Sequence, residues 1–186
     1  NEVNLSYSDN QVTVTTDYLT LVYTLNSEGY ASQCVYSLSS QNRIYQFSYS
    51  AEGYLTGIVE NIDDTEYSST SLTYENGDIT SISSKMNGLE NKFIYEPGEE
   101  SSTYHLPCLG LLEIHPLTFH IEALYAGLLG KDPRHFTMHS CPAGSNDEKT
   151  VYSYGFDKKG NPSRMICQTT YAGGQASYYP YTRNIS

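Results

Sequence analysis

Five histidines, His105, His115, His120, His135 and His139, are the only grouping in this 186-residue chain whose types and spacing could do metal chemistry. His135 and His139 stand four apart, so they would share one face of a helix or a strand, as paired metal ligands do. Such a pair would support hydrolysis, with the histidines serving either as ligands or as general bases. No His-Glu-x-x-His motif accompanies them, and Glu113 and Glu122 fall at no recognised metal-ligand spacing, so surface or capping roles compete with a metal site. Cys108 and Cys141 flank the same segment and could clip it closed. As a nucleophile either would need a low-pKa setting beside a base such as His105 or His139. The plainer reading is a buried or disulfide-bonded cysteine; with Cys34 and Cys167 there are three possible pairings, and spacing does not choose between them.

The second chemical resource is tyrosine. The chain has nineteen Tyr and no Trp. A Tyr ring offers a flat apolar face and a polar tip, so a row of them on a concave sheet can hold a sugar or a lipid. The same residues at period 2 are also what a sheet core and its cross-strand ladders need. The candidates for ligand contact are those outside the regular pattern: Phe119 and Tyr125, and Tyr178, Tyr179 and Tyr181 in "YAGGQASYYPYTRN". No phosphate loop, nucleophile elbow or dinucleotide fingerprint occurs in the sequence, and no catalytic residue or cofactor is assigned.

Positioning these residues falls to β-structure. Charged residues are 17% of the chain and the formal net charge is -11, which argues against nucleic acid or an anionic membrane surface as partner. No apolar run is long enough for a transmembrane helix. The opening "NEVNLSYSDN" is expected to be a trimmed piece of a longer precursor.

An internal repeat sets the architecture. Gly29, Gly53 and Gly77 are spaced 24 residues apart within "VYTLNSEGYASQC", "QFSYSAEGYLTGI" and "SLTYENGDITSI", and "YSYGFDKKGNPSRM" repeats the pattern around Gly160. Six residues before the glycine stand Tyr23, Phe47 and Tyr154; five after it stand Cys34, Ile58, Ile82 and Met165. Each copy predicts a hairpin, with glycine in the left-handed conformation that closes the corner, and Asn76-Gly77 predicts a two-residue type I′ loop. Leu19, Leu21, Tyr23 and Leu25 should share one face, and Tyr45, Phe47 and Tyr49 another such row. "YEPGEE" is expected to be a further turn, with Pro97 excluding a central strand.

Residues 104–148 break this rhythm. Leu117, Ile121, Leu124, Tyr125 and Leu128 recur at helical spacing and predict a helix of about three turns ending at Gly130, a plug or lid over the sheet. The expected fold is therefore mainly β: a curved antiparallel meander or partly open β-barrel of repeated hairpins with a helical insertion. It forms a single domain over 1–186, divided into a meander (1–103), an irregular insertion (104–148) and final strands (149–186).

The turn pattern is similar to YD or RHS-type repeats, which implies β-structure and no particular activity. The hairpin series followed by "LYAGLLGKDPRHF" and "YSYGFDKKGNPSRM" resembles, from about Leu19 to Cys167, a family of secreted Bacteroidetes proteins of unknown function with a porin-like fold. That resemblance implies an exported, often lipid-anchored protein at the periplasmic or outer surface, associated with the outer membrane, with any anchoring cysteine before Asn1. It brings no catalytic residues, and it implies basic or polar residues where His135 and His139 stand, so the pair is not carried over as a family site. The expected function is non-enzymatic extracytoplasmic binding of a small ligand, a glycan or a surface protein, an apolar or glycan ligand lying between sheet and insertion. The alternative is a hydrolase using segment 105–139.

Overall fold

The computed structural model describes residues 3–38, 41–101, 120–145, 147–159, 162–171 and 181–184. Nine strands run in chain order before the break: β1 Asn4–Ser8, β2 Gln11–Thr15, β3 Thr20–Leu25, β4 Ala31–Leu38, β5 Gln41–Tyr49, β6 Leu55–Ile62, β7 Thr65–Glu75, β8 Asp78–Met86 and β9 Leu89–Ser101. A short helix, α1 Ile121–Tyr125, precedes β10 His135–Pro142, β11 Lys149–Phe156, β12 Pro162–Thr170 and β13 Tyr181–Asn184. Each strand pairs antiparallel with the next, giving one 13-stranded meander. Among the described residues β1 and β13 do not pair with each other, so the sheet curls without closing.

The repeat is real structure. Gly29, Gly53 and Gly77 have φ of +85°, +91° and +88°. A β-bulge precedes each turn, at Thr24/Leu25, Ser48/Tyr49 and Thr73/Tyr74. In the first two turns the residue three before glycine organises the corner with its own side chain. Asn26 Oδ1 accepts from the N–H groups of Glu28 and Tyr30, and Ser50 Oγ accepts from those of Glu52 and Tyr54. Asn76 at φ +54° with Gly77 makes the shorter type I′ corner. The residues five after each repeat glycine, Cys34, Ile58, Ile82 and Met165, are all buried.

Burial follows the expected faces: Leu21, Tyr23, Tyr45 and Phe47 are inside, and Tyr18 is exposed. One cross-strand row runs Val12, Tyr23, Cys34, Tyr45, Glu60, Ser68. It changes from apolar to polar along its length. The buried Glu60 carboxylate is compensated by Arg43 Nη1 at 2.9 Å, Tyr45 Oη at 3.1 Å and Ser68 Oγ at 2.9 Å, as a buried charge requires.

Three expectations are corrected. The helix is five residues long rather than three turns, and Gly127 ends it, not Gly130. At φ +72° Gly127 donates its N–H to Leu124 O at 3.2 Å, while Leu128 N–H reaches Ala123 O at 3.0 Å, the paired bonds of a Schellman cap. Leu117 lies outside the described residues. "YEPGEE" is no turn: β9 runs through it. Pairing of β9 with β8 stops at Ile94, so among the described residues Pro97 faces a strand on one side only, within a bulged stretch of the β9–β10 ladder. The irregular stretch is also narrower than 104–148, because β10 joins the sheet from His135 onward.

The helix sits inside the curl. Ala123, Leu124, Leu128 and Leu129 pack into the main core of β2–β9, while Tyr125 packs against a second cluster of Phe136, Tyr152, Met165 and Cys167 on β10–β12. One short element thus touches both arms of the sheet. Among the described residues no helix is long and apolar enough to cross a membrane.

Candidate ligand-binding site at the turn edge

After Gly127 the chain runs along the sheet's turn edge and meets the repeat turns in succession. Leu128 O accepts from Ala31 N–H at 2.8 Å, Lys131 N–H donates to Gly53 O at 2.9 Å, and Arg134 N–H donates to Gly77 O at 3.0 Å. The strap advances three residues for each hairpin. Three extended residues span roughly 10 Å, and two strand spacings roughly 9.6 Å, so strap and repeat share one period. At the end of the strap Asp78 clamps it: Oδ1 accepts from His135 N–H at 2.8 Å and Oδ2 from His135 Nδ1 at 2.8 Å. A carboxylate only accepts, so Nδ1 carries the hydrogen.

Tyrosine pairs bridge successive hairpins beneath the strap. Tyr30 stacks on Tyr49 with centroids 5.4 Å apart, and Tyr54 on Tyr74 at 5.0 Å. Beside the second pair opens a cleft of about 760 Å³, between the second and third turns. Its rim carries Lys131 and Arg134 from the strap, Glu52 from the second turn, and the hydroxyl-bearing Ser50, Thr56 and Thr73. The Ser50 hydroxyl holds the Glu52 carboxyl below the usual range, with the backbone N–H of Glu52 and the Lys131 ammonium acting in the same direction.

The sequence candidates are distributed differently. His135 and His139 lie on β10 but meet separate carboxylates, Asp78 for the first and Glu96 for the second, the latter at 3.2 Å with Lys149 Nζ 3.8 Å from the same oxygen. Among the described residues no group of three or more His, Cys, Asp or Glu is placed to hold a metal ion. His120 is the N-cap residue of α1, but its side chain makes no capping bond. It is buried, with Nδ1 2.7 Å from Tyr23 Oη and its ring edge-on to Tyr45 and Phe47. Tyr125 is half-buried and borders a hollow of about 440 Å³ with Leu5 and Ile121. Phe119, Tyr178, Tyr179, His105, His115 and Cys108 lie outside the described residues; Tyr181 opens β13, its side chain outside what is described.

No disulfide joins Cys34, Cys141 and Cys167. Burial pushes the Cys34 thiol up to about 12, a hydrogen bond with Tyr23 partly opposing the shift, so it is a protonated core group and not a nucleophile at neutral pH. Burial raises the Tyr23 hydroxyl far above the ordinary range as well. The cleft residues Tyr54, Tyr74, Lys131 and Arg134 escape a search for chemical motifs. Their signal was positional: Tyr30 and Tyr54 each follow a repeat glycine.

A single meander curled around an internal helix, open at its ends and strapped along one rim, is a porin-like β-sheet domain. The chain belongs to the family described as a domain of unknown function (DUF4595) with porin-like fold, which matches residues 1–164. It is similar to a porin-like protein from Bacteroides uniformis ATCC 8492 of known crystal structure, with 26% identity and a TM-score of 0.85 over 98% of this chain and 76% of that one. A porin-like protein from Bacteroides vulgatus ATCC 8482 shares the fold at 13% identity, with a TM-score of 0.59 over 97% of this chain and 88% of that one. No curated protein matches the chain.

Proposed function

We propose that this is a non-enzymatic extracytoplasmic binding protein that holds a glycan at the turn edge, in the cleft between the second and third turns. The porin-like relatives from Bacteroides support an extracytoplasmic, outer-membrane-associated setting, with a lipid anchor upstream of residue 1 as part of the proposal. The observation that carries the reading is the cleft itself: about 760 Å³, flanked by a half-buried tyrosine pair and rimmed by hydroxyl and charged groups. That volume falls in the range of small-ligand sites, and the mixture of ring faces and polar tips suits the C–H faces and hydroxyls of a short oligosaccharide. Beside Leu129 and Gly130 the space between sheet and insertion narrows to about 10 Å³, and it widens into the cleft where Lys131 and Arg134 face the sheet. For the hydrolase alternative, no group of three or more His, Cys, Asp or Glu among the described residues is placed to hold a metal ion.

The test is titration of a panel of defined oligosaccharides by calorimetry against wild type, Tyr54→Ala and Tyr30→Ala. At least one oligosaccharide should bind wild type, Tyr54→Ala should weaken it at least about tenfold, and Tyr30→Ala should leave it within about twofold, a stacking ring contributing on the order of 1 kcal/mol or more. Absence of binding across the panel, or equal effects of the two substitutions, overturns the assignment.

A further inference from the structure

The two cations on the cleft rim are outside any close ion pair among the described residues; Lys131 acts on Glu52 only through the charge attraction that helps lower its carboxyl. Among the described residues neither Lys131 nor Arg134 forms an ion pair, whereas Arg43 and Lys149 do. Both are nevertheless held in place. The Lys131 main chain is tied to Gly53 O and the Arg134 main chain to Gly77 O. Arg134 Nη1 lies 3.3 Å from Asn76 O, which fixes one arm of the guanidinium and leaves its other donors available. The repeat glycines act as seats for the two stems. A Cβ on Gly77 would come within 2.5 Å of Arg134 Cδ, and one on Gly53 within 3.5 Å of Lys131 Cε. The two anchor points lie three strap residues apart, roughly 10 Å along an extended chain.

Two positioned cations beside an aromatic platform, neither in a close ion pair among the described residues, are an arrangement for a ligand with fixed negative charges. Arginine's planar fork matches carboxylate and sulfate, and lysine adds a point charge. Glu52 faces the same cleft, so the rim carries two cations against one carboxylate. The chain as a whole is at -11, which disfavours anions at long range, but beyond roughly 8 Å that field is screened at physiological salt and the rim residues dominate inside the cleft.

Resting on the glycan reading, we infer that the ligand is an acidic oligosaccharide whose carboxylate or sulfate groups are held by Lys131 and Arg134, with a sugar face against Tyr54. Recognition of the anion and recognition of the sugar are separable in this arrangement. The ring pair supplies the second without the first.

The experiment compares four probes by calorimetry at low and at physiological salt: a uronate tetrasaccharide, a sulfated tetrasaccharide, a neutral tetrasaccharide and inorganic sulfate. The acidic tetrasaccharides should bind at least tenfold tighter than the neutral one, and their affinity should fall with salt. The Arg134→Gln and Lys131→Gln variants, checked for unchanged folding by circular dichroism, should each lose most of that margin while neutral binding stays put. Whichever of the uronate and sulfated probes binds tighter identifies the anion. Equal binding of neutral and acidic probes, or Gln variants that retain the margin, overturns the inference while leaving the glycan reading intact. Inorganic sulfate binding as tightly as the tetrasaccharides overturns it too, since the site would then be one for a lone anion. No binding by any probe overturns both.

Discussion

The intervals between the first and second turns and between the second and third are built alike and end differently. Each carries a stacked tyrosine pair, Tyr30 with Tyr49 and Tyr54 with Tyr74, and each is crossed by three residues of strap. Over the first interval the strap is Leu128, Leu129 and Gly130; the leucines are core residues, and Tyr49 Oη donates to Ala31 O at 2.6 Å, sealing the gap. Over the second it is Lys131, Asp132 and Pro133, with Arg134 seated at the third turn, and the interval opens into the cleft. The hairpin repeat supplies a frame with no preference for closure. What the strap carries decides whether a given interval becomes core or site.

The sharpest way to break the closed interval is Gly130→Ala. Gly130 has φ +89°, and a Cβ there would stand 2.8 Å from Gly53 O and 3.0 Å from Tyr49 Cε1. Backbone atoms on one side and a packed ring on the other leave no cheap relaxation. Left-handed strain and overpacking together should cost roughly 2–4 kcal/mol, read as a lower urea midpoint with unchanged slope. A next, smaller effect separates the frame from the site. Gly77→Ala and Gly29→Ala share left-handed strain at φ +88° and +85°, but Gly29 has nothing within 4 Å of the added carbon, whereas at Gly77 it would press on Arg134 and Tyr54. Gly29→Ala should cost about 1 kcal/mol and leave ligand binding alone; Gly77→Ala should cost about 2 kcal/mol and weaken binding as well. Equal costs and equal binding would mean that the Gly77 turn is not a seat for the strap.

Much of the frame was legible because it rests on local rules. Period-2 alternation placed Leu21, Tyr23, Tyr45 and Phe47 inside, and glycine spacing located three turns to the residue. The helix was misjudged because apolar spacing cannot distinguish a helical stripe from a short helix followed by buried leucines. Gly127, not Gly130, is the stop signal. Pro97 misled for a related reason: the rule against proline in a central strand assumes two partners, and β9 has only one there. The cleft was illegible because it is made by two segments far apart in sequence, Ser50 to Gly77 and Lys131 to Arg134, brought together by a register match between strap and hairpins that no motif encodes. The histidines drew attention through chemistry, yet His120 is packed among rings and His135 anchors the strap.

The smallest test asks how much the seal of the closed interval contributes. Tyr49→Phe keeps the ring stack on Tyr30 and removes only the hydrogen bond to Ala31 O, so near neutral pH it should destabilise by about 1 kcal/mol. Burial, with Tyr30 beside it, raises the Tyr49 hydroxyl well above its ordinary 10.0. Below pH 10 both folded and unfolded chains hold this proton, and the hydrogen bond contributes fully. Above it the unfolded chain ionises while the folded chain cannot, so the contribution falls as pH rises towards the folded value, by roughly 1.4 kcal/mol per unit. The gap between wild type and Tyr49→Phe should therefore close as denaturation is followed from pH 9 to about pH 11. Cys34, common to both proteins, starts its own decline from 9.0 and cancels in the comparison. A gap that stays constant across this range would show that the Tyr49 hydroxyl is open to water, and that the first interval is sealed by its leucines alone.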